Sequence, residues 1–421
     1  MMAFEGPFLA AIIARLPEAR FNLAAHGVAV AFAILVEAPI IMIMSASTAL
    51  VSDAASFRKL RNYTYSLNAL ITGAMLVVVT PPIFRWLFQG LIGLPEDVAH
   101  LIHGSLLILL PWPAAIGYRR FFQGLLIKAN LTRLVAYVTL VRLAVMTSTA
   151  LVLYLVYSLP GAYVGAAALS AGVCVEALVS RLMVRRTMRE LLDKTETAGA
   201  EEPLSYRRIN HFYYPLALTS VLGLAVHPML IFFMGRARFP IESLAVFPVV
   251  HSLSFVFRAL GLSYQEVVIA LLGKDLEHVK ELGRFAAGLG IATSAALALI
   301  AFTPLANVWF VTISGLSPEL AEFAILPARI LAPFPALSVL ISFQRGLLVQ
   351  GRYTGPITPA TAMEVGGIAL AFVACSNGLN MIGVTAAMIA FVVGRTASNA
   401  YLVPACLRVV GRRSTRPCPG F

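Results

Sequence analysis

The chain has 421 residues, of which 59% are apolar and only 12% are charged, and its formal net charge is +12. Soluble domains carry roughly 25% charged residues, so this composition, with a mean hydropathy of +0.84, excludes an ordinary soluble protein. The lysines and arginines lie mostly between apolar segments, which indicates membrane topology and not nucleic-acid binding.

Apolar runs recur along the whole chain, and each is long enough to cross about 30 Å of hydrocarbon as a helix. Turn residues and charges divide the chain into predicted spans at 23–51, 63–90, 99–127, 133–158, 161–183, 209–235, 240–272, 283–312, 318–349, 355–375 and 381–407. These spans predict an all-α polytopic membrane protein.

The segments between the spans alternate in charge. Basic residues gather at 52–62, 128–133, 185–208, 274–284 and 412–421. The intervening loops IGLPEDVA, SLPGAY, ISGLSPEL and SNGLN contain no lysine or arginine. Basic loops remain in the cytoplasm, so we expect a multi-pass protein of the cytoplasmic membrane with its C-terminus inside.

One long polar segment, ELLDKTETAGAEEPLSY at 190–206, interrupts the apolar pattern. Its small residues, acids and proline are typical of a linker. It predicts an N-terminal helical bundle at 1–189, a cytoplasmic linker at 190–206, a C-terminal bundle at 207–411 and a basic cytoplasmic tail at 412–421.

The two bundles repeat in sequence. PWPA at 111–114 matches PFPA at 333–336, and GLLI at 124–127 matches GLLV at 346–349, all at an offset of 222 residues. Such matches predict two six-helix repeats of parallel topology. The paired prolines predict a bend at the same place in both repeats, and they are Pro111, Pro113, Pro333 and Pro335.

The start of the chain is short for this scheme. ARLP at 14–17 matches ARFP at 237–240, and the span 209–235 precedes only the second of these. The segment MMAFEGPFLAAII covers about 20 Å as a helix, which is too little to span a membrane. We therefore expect the first helix of the first repeat to be truncated.

A transporter with two parallel six-helix repeats and a central basic linker resembles the superfamily of multidrug and toxin extruders, oligosaccharide-lipid flippases and the lipid II flippase. FQGLLIKANLT and FQRGLLVQGRYT resemble that superfamily in both halves. The resemblance implies a V-shaped arrangement of two bundles.

Within the superfamily, LAAHGVA, FYYPLAL, FPVVH and LPARILAPFPALSV are similar to the progressive ankylosis family. That likeness implies export of anionic metabolites. The truncated first helix departs from the family.

Ionisable residues inside spans usually face a cavity or a partner, because burying an unpaired charge in lipid is expensive. Glu37 corresponds closely to Arg258 in the repeat, and Arg142 corresponds to Glu364. In two places, therefore, the repeats have opposite charges at matching depths of corresponding spans. They are candidates for binding the substrate or exchanging partners during transport. The alternatives are structural ion pairs, or charges that reach the membrane surface along the lipid.

Four further arginines lie in the two spans that carry the proline motif, namely Arg119, Arg120, Arg329 and Arg345. The guanidinium group suits phosphate and carboxylate because it donates two parallel hydrogen bonds. They predict an anion-binding cavity, although Arg120 and Arg345 also suit lipid phosphates at a helix end. His251 is a candidate for proton coupling or a structural, hydrogen-bonded histidine.

Motifs for catalysis are missing from the sequence. It contains no Walker A loop, HExxH, GxSxG or aspartate pair, and its four cysteines lack metal-ligand spacing. We expect no enzyme activity, no cofactor and no metal site. Transport would draw on a gradient of H⁺, Na⁺ or substrate, or on membrane potential.

These patterns favour a secondary transporter that contacts membrane lipids and exports a small organic or phosphorylated anion by alternating access. A multidrug or cation antiporter and a lipid-linked oligosaccharide flippase are alternatives. A lipid scramblase or a membrane scaffold is an alternative of another class.

Overall fold

A computed structural model describes residues 2–185, 188–189, 204–273, 276–351 and 353–414. Within these ranges the chain is helical, and its β pairing is limited to an isolated bridge. The helices of eight or more residues are α1 (Glu5–Ala14), α2 (Ala19–Glu37), α3 (Ile43–Leu50), α4 (Ala54–Val79), α5 (Glu96–Ile108), α6 (Trp112–Lys128), α7 (Thr132–Val156), α8 (Gly161–Met183), α9 (Tyr206–Leu224), α10 (Val226–Met234), α11 (Pro240–Leu271), α12 (Val279–Phe302), α13 (Pro318–Ile330), α14 (Phe334–Gln350), α15 (Ile357–Val373) and α16 (Gly383–Ser414).

The predicted spans are confirmed. Ten helical segments of the described chain are long and apolar enough to cross a membrane, and the bent pair α13 and α14 makes an eleventh. The apolar helix α1 is shorter, with 10 residues. The predicted linker lies outside the described residues except for its last three positions, and so does the predicted tail from residue 415 onward.

The repeat is visible in the helix boundaries. Helices α5 and α13 each have 13 residues, and their first residues, Glu96 and Pro318, differ by the offset found in sequence. Helices α6 and α14 each have 17 residues and keep the same offset. The two halves therefore build these segments alike, as the sequence matches predicted.

The same correspondence holds at an irregular segment. In each half a π-helix follows the third span, Arg85–Leu91 in the first and Val308–Ile313 in the second. A glycine with positive φ comes next, with φ of 83° at Gly93 and 72° at Gly315. Residues with a side chain rarely adopt this left-handed conformation, so glycine permits the turn into the following helix.

The helix is interrupted at the proline motif in both halves, and a bend is evident in the second half. Residues 109–111 separate α5 from α6, and residues 331–333 separate α13 from α14, which are bent by 40°. The N–H of Trp112 donates to the carbonyl of Leu109 at 2.9 Å, and the N–H of Phe334 donates equivalently to Leu331 at 2.9 Å. These short-range bonds replace α-helical ones at the break.

Pro113 and Pro335 each occupy the second position of the helix that follows the break. The N–H groups of the first helical turn have no partner inside the helix, so proline removes no hydrogen bond there. The proline motif therefore allows a bend without a large cost in backbone bonding.

The second spans of the two halves differ. In the first half, α2 ends at Glu37, and a 3₁₀ turn at Ala38–Ile40, which contains Pro39, separates it from α3. The counterpart α11 runs for 32 residues without interruption and accommodates Pro248 inside the helix. Glu37 thus lies at a helix end, whereas Arg258 lies within a continuous helix.

The described chain divides into two compact units, Leu16–Pro228 and Met1–Arg15 with Met229–Phe421. In this division α1 falls in the unit of the second half and α9 in the unit of the first, while the bundle boundaries expected at the polar segment stay a prediction. Helix α1 packs against α11, and Arg15 donates to the carbonyls of Thr312 and Ile313 at 2.7 and 2.9 Å. Helix α9 packs against the 3₁₀ turn that follows α2.

Candidate functional site

A buried charge cluster lies in the unit Leu16–Pro228, centred on Glu176 of α8. Its side chain is fully buried, and its Oε1 lies 2.8 Å from Nη1 of Arg119 on α6. Its Oε2 lies 3.6 Å from Nη1 of Arg142 on α7. Gln123 also donates to Oε1, at 3.1 Å. Three consecutive helices therefore meet at one carboxylate.

Glu37 contributes a second buried carboxylate to this unit. It accepts a hydrogen bond from the indole N–H of Trp112, the first residue of α6 after the proline bend. The cations that act on it electrostatically are Arg119, Arg120 and Arg142. The first-half cluster thus sets three guanidinium groups against two carboxylates.

Some donors of this cluster are unused. The Nε atoms of Arg119 and Arg120 are buried and donate no hydrogen bond within the described residues. Leaving a buried donor unsatisfied costs roughly 1–3 kcal/mol. An anionic group placed against these atoms would recover that cost, so the cluster has spare capacity for an acceptor.

The second half contains an ion pair of opposite polarity. Oε1 of Glu364 on α15 lies 2.6 Å from Nη2 and 2.8 Å from Nε of Arg395 on α16. In the first half, arginine is on α7 and glutamate on α8; here glutamate is on α15 and arginine on α16. Arg142 and Glu364 are therefore repeat counterparts, as predicted, and each pairs within its own half.

Arg258 of α11 lies near this pair. Its guanidinium donates to Oγ of Ser338 at 3.3 Å and lies 3.3 Å from Nε2 of His251. It also lies 4.3 Å from the ring centroid of Phe334, and Arg395 lies 5.2 Å from the same centroid. Cations are attracted to an aromatic face, so one ring helps to hold two guanidinium groups.

One more arginine, Arg345, completes the second-half cluster. Arg345 of α14 donates to Oγ1 of Thr361 at 3.2 Å, and its buried Nε has no hydrogen-bond partner among the described residues. Glu364 acts electrostatically on both Arg258 and Arg345. This half thus sets three guanidinium groups, those of Arg258, Arg345 and Arg395, against one carboxylate.

His251 lies in an aromatic stack. Its ring centroid is 5.8 Å from that of Phe247 and 5.7 Å from that of Phe391. Together with the contact to Arg258, this packing fixes the imidazole on the charge cluster. This geometry fits both roles predicted for His251, a proton-coupling group and a structural, hydrogen-bonded histidine.

The structure gathers most of the predicted residues into two clusters. The first contains Glu37, Arg119, Arg120 and Arg142, and the second contains His251, Arg258, Arg345 and Glu364. Arg329 lies in neither cluster, because its side chain is exposed, donates to the carbonyl of Ala301 at 3.1 Å and lies 5.5 Å from the ring of Phe302. Its predicted place in an anion-binding cavity stays a prediction.

Sequence reasoning missed Glu176 and Arg395. Each is an ionisable residue inside an apolar span, in GVCVEALVS and FVVGRTASN. Their positions differ by 219 residues, close to the offset of 218 that relates GAAAL at 165–169 to GVTAA at 383–387. The same search for opposite charges at matching depths therefore had the signal to find them.

A metal-binding group is not apparent in the part of the chain that the structure describes. No set of three or more histidine, cysteine, aspartate or glutamate side chains is arranged there to hold a metal ion.

No protein-family model and no curated protein sequence matches the chain. Solved structures do match over nearly its full length. An inward-facing multidrug resistance MATE family transporter of the MOP superfamily has a TM-score of 0.76 at 16% identity, covering 99% of this chain and 96% of that one. The lipid II flippase MurJ, in an inward closed conformation, has a TM-score of 0.73 at 13% identity, covering 98% and 88%.

The eukaryotic MATE transporter AtDTX14 has a TM-score of 0.61 at 15% identity, covering 98% of this chain and 96% of that one. At such low identity these likenesses show the fold alone. They confirm the fold that the superfamily resemblance implies, while the closer likeness to the progressive ankylosis family remains a prediction. The chain has the all-helical fold of the MATE transporters and of MurJ.

Proposed function

We propose that the protein is a multi-pass secondary transporter that works by alternating access, and not an enzyme. The fold that it shares with MATE transporters and MurJ supports this proposal. Charged clusters buried within apolar helices also support it, because such charges are expensive and usually serve substrate or ion pathways.

We propose a small organic or phosphorylated anion as the exported substrate. The observation that carries this proposal is the excess of guanidinium groups over carboxylates in both clusters, three against two in the first and three against one in the second. Buried Nε donors without partners add to it, on Arg119, Arg120 and Arg345. Guanidinium groups bind phosphate and carboxylate through paired, charge-assisted hydrogen bonds. The likeness to the progressive ankylosis family favours the same substrate class.

H⁺ or Na⁺ is the proposed coupling ion, with Glu37 as its candidate site. This carboxylate is buried at the end of α2, beside the break in the helix. Its neutralisation by a cation would raise the net positive charge of the first-half cluster, and the cluster would then attract an anion more strongly.

The proposed location is the cytoplasmic membrane, with the basic loops and the C-terminus on the cytoplasmic side. Membrane lipids surround the spans and are the other proposed partners. Nucleic acid is not a proposed partner, because the basic residues lie between spans.

A flippase for a lipid-linked saccharide is the second candidate, favoured by the likeness to MurJ. A multidrug or cation antiporter fits the likeness to MATE transporters. Cation binding needs available carboxylates, whereas Glu176 and Glu364 are held in ion pairs with arginine. The charge balance therefore favours the anion.

Flux measurements in proteoliposomes test the proposal. We expect uptake of labelled citrate, pyrophosphate or nucleotide that responds to an imposed membrane potential, pH gradient or Na⁺ gradient. Arg258→Gln should abolish most of this flux. Arg329→Gln is the matched control and should retain it, because this arginine is exposed and outside both clusters.

Thermal unfolding of both variants in detergent separates loss of transport from loss of folding. Equal flux in the two variants would contradict an anion site at the second-half cluster. Lipid flipping without solute flux would instead support a scramblase, and the absence of both activities would support a scaffold.

A further inference from the structure

Each half contains an open cavity beside its π-helix. The first, of about 620 Å³, is bounded by the π-helix Arg85–Leu91 and by α5, within the unit Leu16–Pro228. The second, of about 530 Å³, is bounded by the π-helix Val308–Ile313 and by α13, within the other unit. We call them the first-half groove and the second-half groove.

The two grooves are repeat counterparts. Six lining positions correspond at the offset of 222 residues: Arg85 and Asn307, Gln89 and Val311, Glu96 and Pro318, Ala99 and Ala321, His100 and Glu322, His103 and Ile325. The backbone around them is repeated as well, including the glycine turn that follows each π-helix. The fold therefore builds the cavity in both halves, whichever side chains line it.

The side chains that line the first-half groove are more polar and more cationic. Arg85, Gln89 and His100 supply a guanidinium, a carboxamide and an imidazole, and Glu96 supplies a carboxylate. Three of the counterparts are valine, proline and isoleucine, and the counterpart of His100 is a glutamate. Because the second half forms its cavity with Asn307 in place of Arg85 and without a histidine, the fold does not require the guanidinium and imidazole groups.

These polar groups are accessible. Arg85, Glu96 and His100 are exposed, and Gln89 is half-buried. His103 differs, because its Nε2 lies 2.9 Å from the carbonyl of Val79 and its ring packs on Phe84 at 4.8 Å. The ring of His103 is therefore held in one position and lines the groove in which the accessible side chains can bind a ligand.

We propose that the first-half groove binds a zwitterionic phosphate, with the phosphate on Arg85 and His100 and an adjoining ammonium on Glu96. A guanidinium and an imidazole supply charge-assisted donors for phosphate oxygens. The carboxylate of Glu96 repels a free phosphate dianion and attracts an ammonium. The volume lies in the range of about 300–1,000 Å³ that small-ligand sites occupy.

The position of the groove makes two sources of this chemistry accessible. The groove is lined by the connection between the candidate spans that finish at Val79 and begin at Glu96 and by the first turns of the second of these spans. We therefore place it near the membrane surface. A soluble phosphoethanolamine-type solute reaches it from water, and a phosphatidylethanolamine headgroup reaches it from the lipid. The site is separate from the two buried charge clusters and does not depend on transport.

Calorimetric titration of the purified protein in detergent tests the site with phosphoethanolamine and inorganic phosphate as probes. The wild type should bind phosphoethanolamine more tightly than inorganic phosphate. The Arg85→Gln, His100→Gln double variant should weaken both by about tenfold or more, since two charged donors are lost. Glu322→Gln, in the second-half groove, is the matched control and should bind like the wild type.

Glu96→Gln gives the sharpest test, because the two probes should respond in opposite directions. Affinity for phosphoethanolamine should fall as the ammonium loses its partner, while affinity for inorganic phosphate should rise as the repulsion disappears. A shift of both affinities in one direction, the absence of binding in the wild type, or an equal loss in Glu322→Gln would overturn the proposal.

Nanodiscs distinguish the two sources. If the lipid headgroup occupies the groove, soluble phosphoethanolamine should bind in phosphatidylglycerol nanodiscs and not in phosphatidylethanolamine nanodiscs. If the ligand is a soluble solute, it should bind equally in both. These experiments measure binding and not flux. A negative result would therefore contradict the groove site without contradicting the proposed transport.

Discussion

The two halves of the chain share the lengths of the helices on either side of the proline motif, the interruption at that motif and a π-helix, yet they differ at the places that carry charge. The second span is broken after Glu37 in the first half and is continuous through Arg258 in the second. The ion pair between the last two helices of each half is reversed in polarity. The repeat thus supplies the architecture, and substitutions within it supply different chemistry in each half.

The break has an electrostatic consequence. The carboxyl end of a helix carries a partial negative charge from its unpaired carbonyl groups. Glu37 lies at such an end, which disfavours its carboxylate, and the arginines of the cluster and the indole of Trp112 offset this effect. Arg258 lies within a continuous helix and is held by Ser338 and an aromatic face instead.

The largest expected effect is a difference in stability loss between the two ion pairs, because they differ in burial. Glu176 is fully buried between two arginines, whereas Glu364 is slightly exposed and has one ion-pair partner. Removing one member of a buried pair costs about 3–5 kcal/mol, so Glu176→Gln should lower the melting temperature in detergent more than Glu364→Gln does. Equal losses would show that the two pairs are energetically equivalent.

Exchanging the side chains of Glu364 and Arg395 tests whether stability depends on the polarity of the second-half ion pair. Glu364→Arg alone should destabilise the protein, because it places a third cation beside Arg258 and Arg395. Adding Arg395→Glu restores a pair with the polarity of the first half and should recover part of the loss. A double-mutant cycle measures this coupling, which we expect at about 1–3 kcal/mol. A coupling of zero would mean that the two side chains act independently.

The broken span offers a smaller test. The hydroxyl of Tyr213 donates to the carbonyl of Pro39 at 2.5 Å and satisfies an acceptor that the break exposes. Tyr213→Phe should cost about 1 kcal/mol of stability. In a Pro39→Ala background the helix can continue as in α11, so the same substitution should cost less. An unchanged cost in that background would show that proline does not cause the break.

The smallest effect concerns the start of α4. Asp53 accepts from the N–H of Ser56 at 2.7 Å in a capping box, whereas α12 in the second half has no side-chain hydrogen bond at its N-cap. The backbone N–H of Ser56 lowers the pKa of Asp53 below its ordinary 3.8. This contribution is therefore complete above pH 3.8 and is lost as the pH falls through the lowered pKa.

Asp53→Ala should cost about 1 kcal/mol or less at neutral pH, and little below the lowered pKa. Melting temperatures measured between neutral pH and pH 3 check this. A difference between wild type and variant that persists unchanged at pH 3 would contradict the assignment.

Much of the fold was predictable because membrane spans are set by local composition. About 20 apolar residues suffice to cross the bilayer as a helix, and the paired prolines of PWPA and PFPA disfavour a continuous helix at that place. The candidate site was only partly predictable. Arg142 and Glu364 were recognisable as charges inside spans, and Glu176 and Arg395 carried the same signal, whereas the pairing between them depends on contacts between neighbouring helices.

The sequence by itself determined the number of spans, the two repeats and the helix interruptions at residues 111 and 333, since each follows from hydropathy or backbone restriction within a short segment. Only the tertiary structure decided that α1 packs with the second half and α9 with the first. It alone excluded Arg329 from the clusters and brought Glu37 against Trp112. The physical reason is that hydropathy depends on each segment alone, whereas ion pairing and helix packing depend on which faces meet.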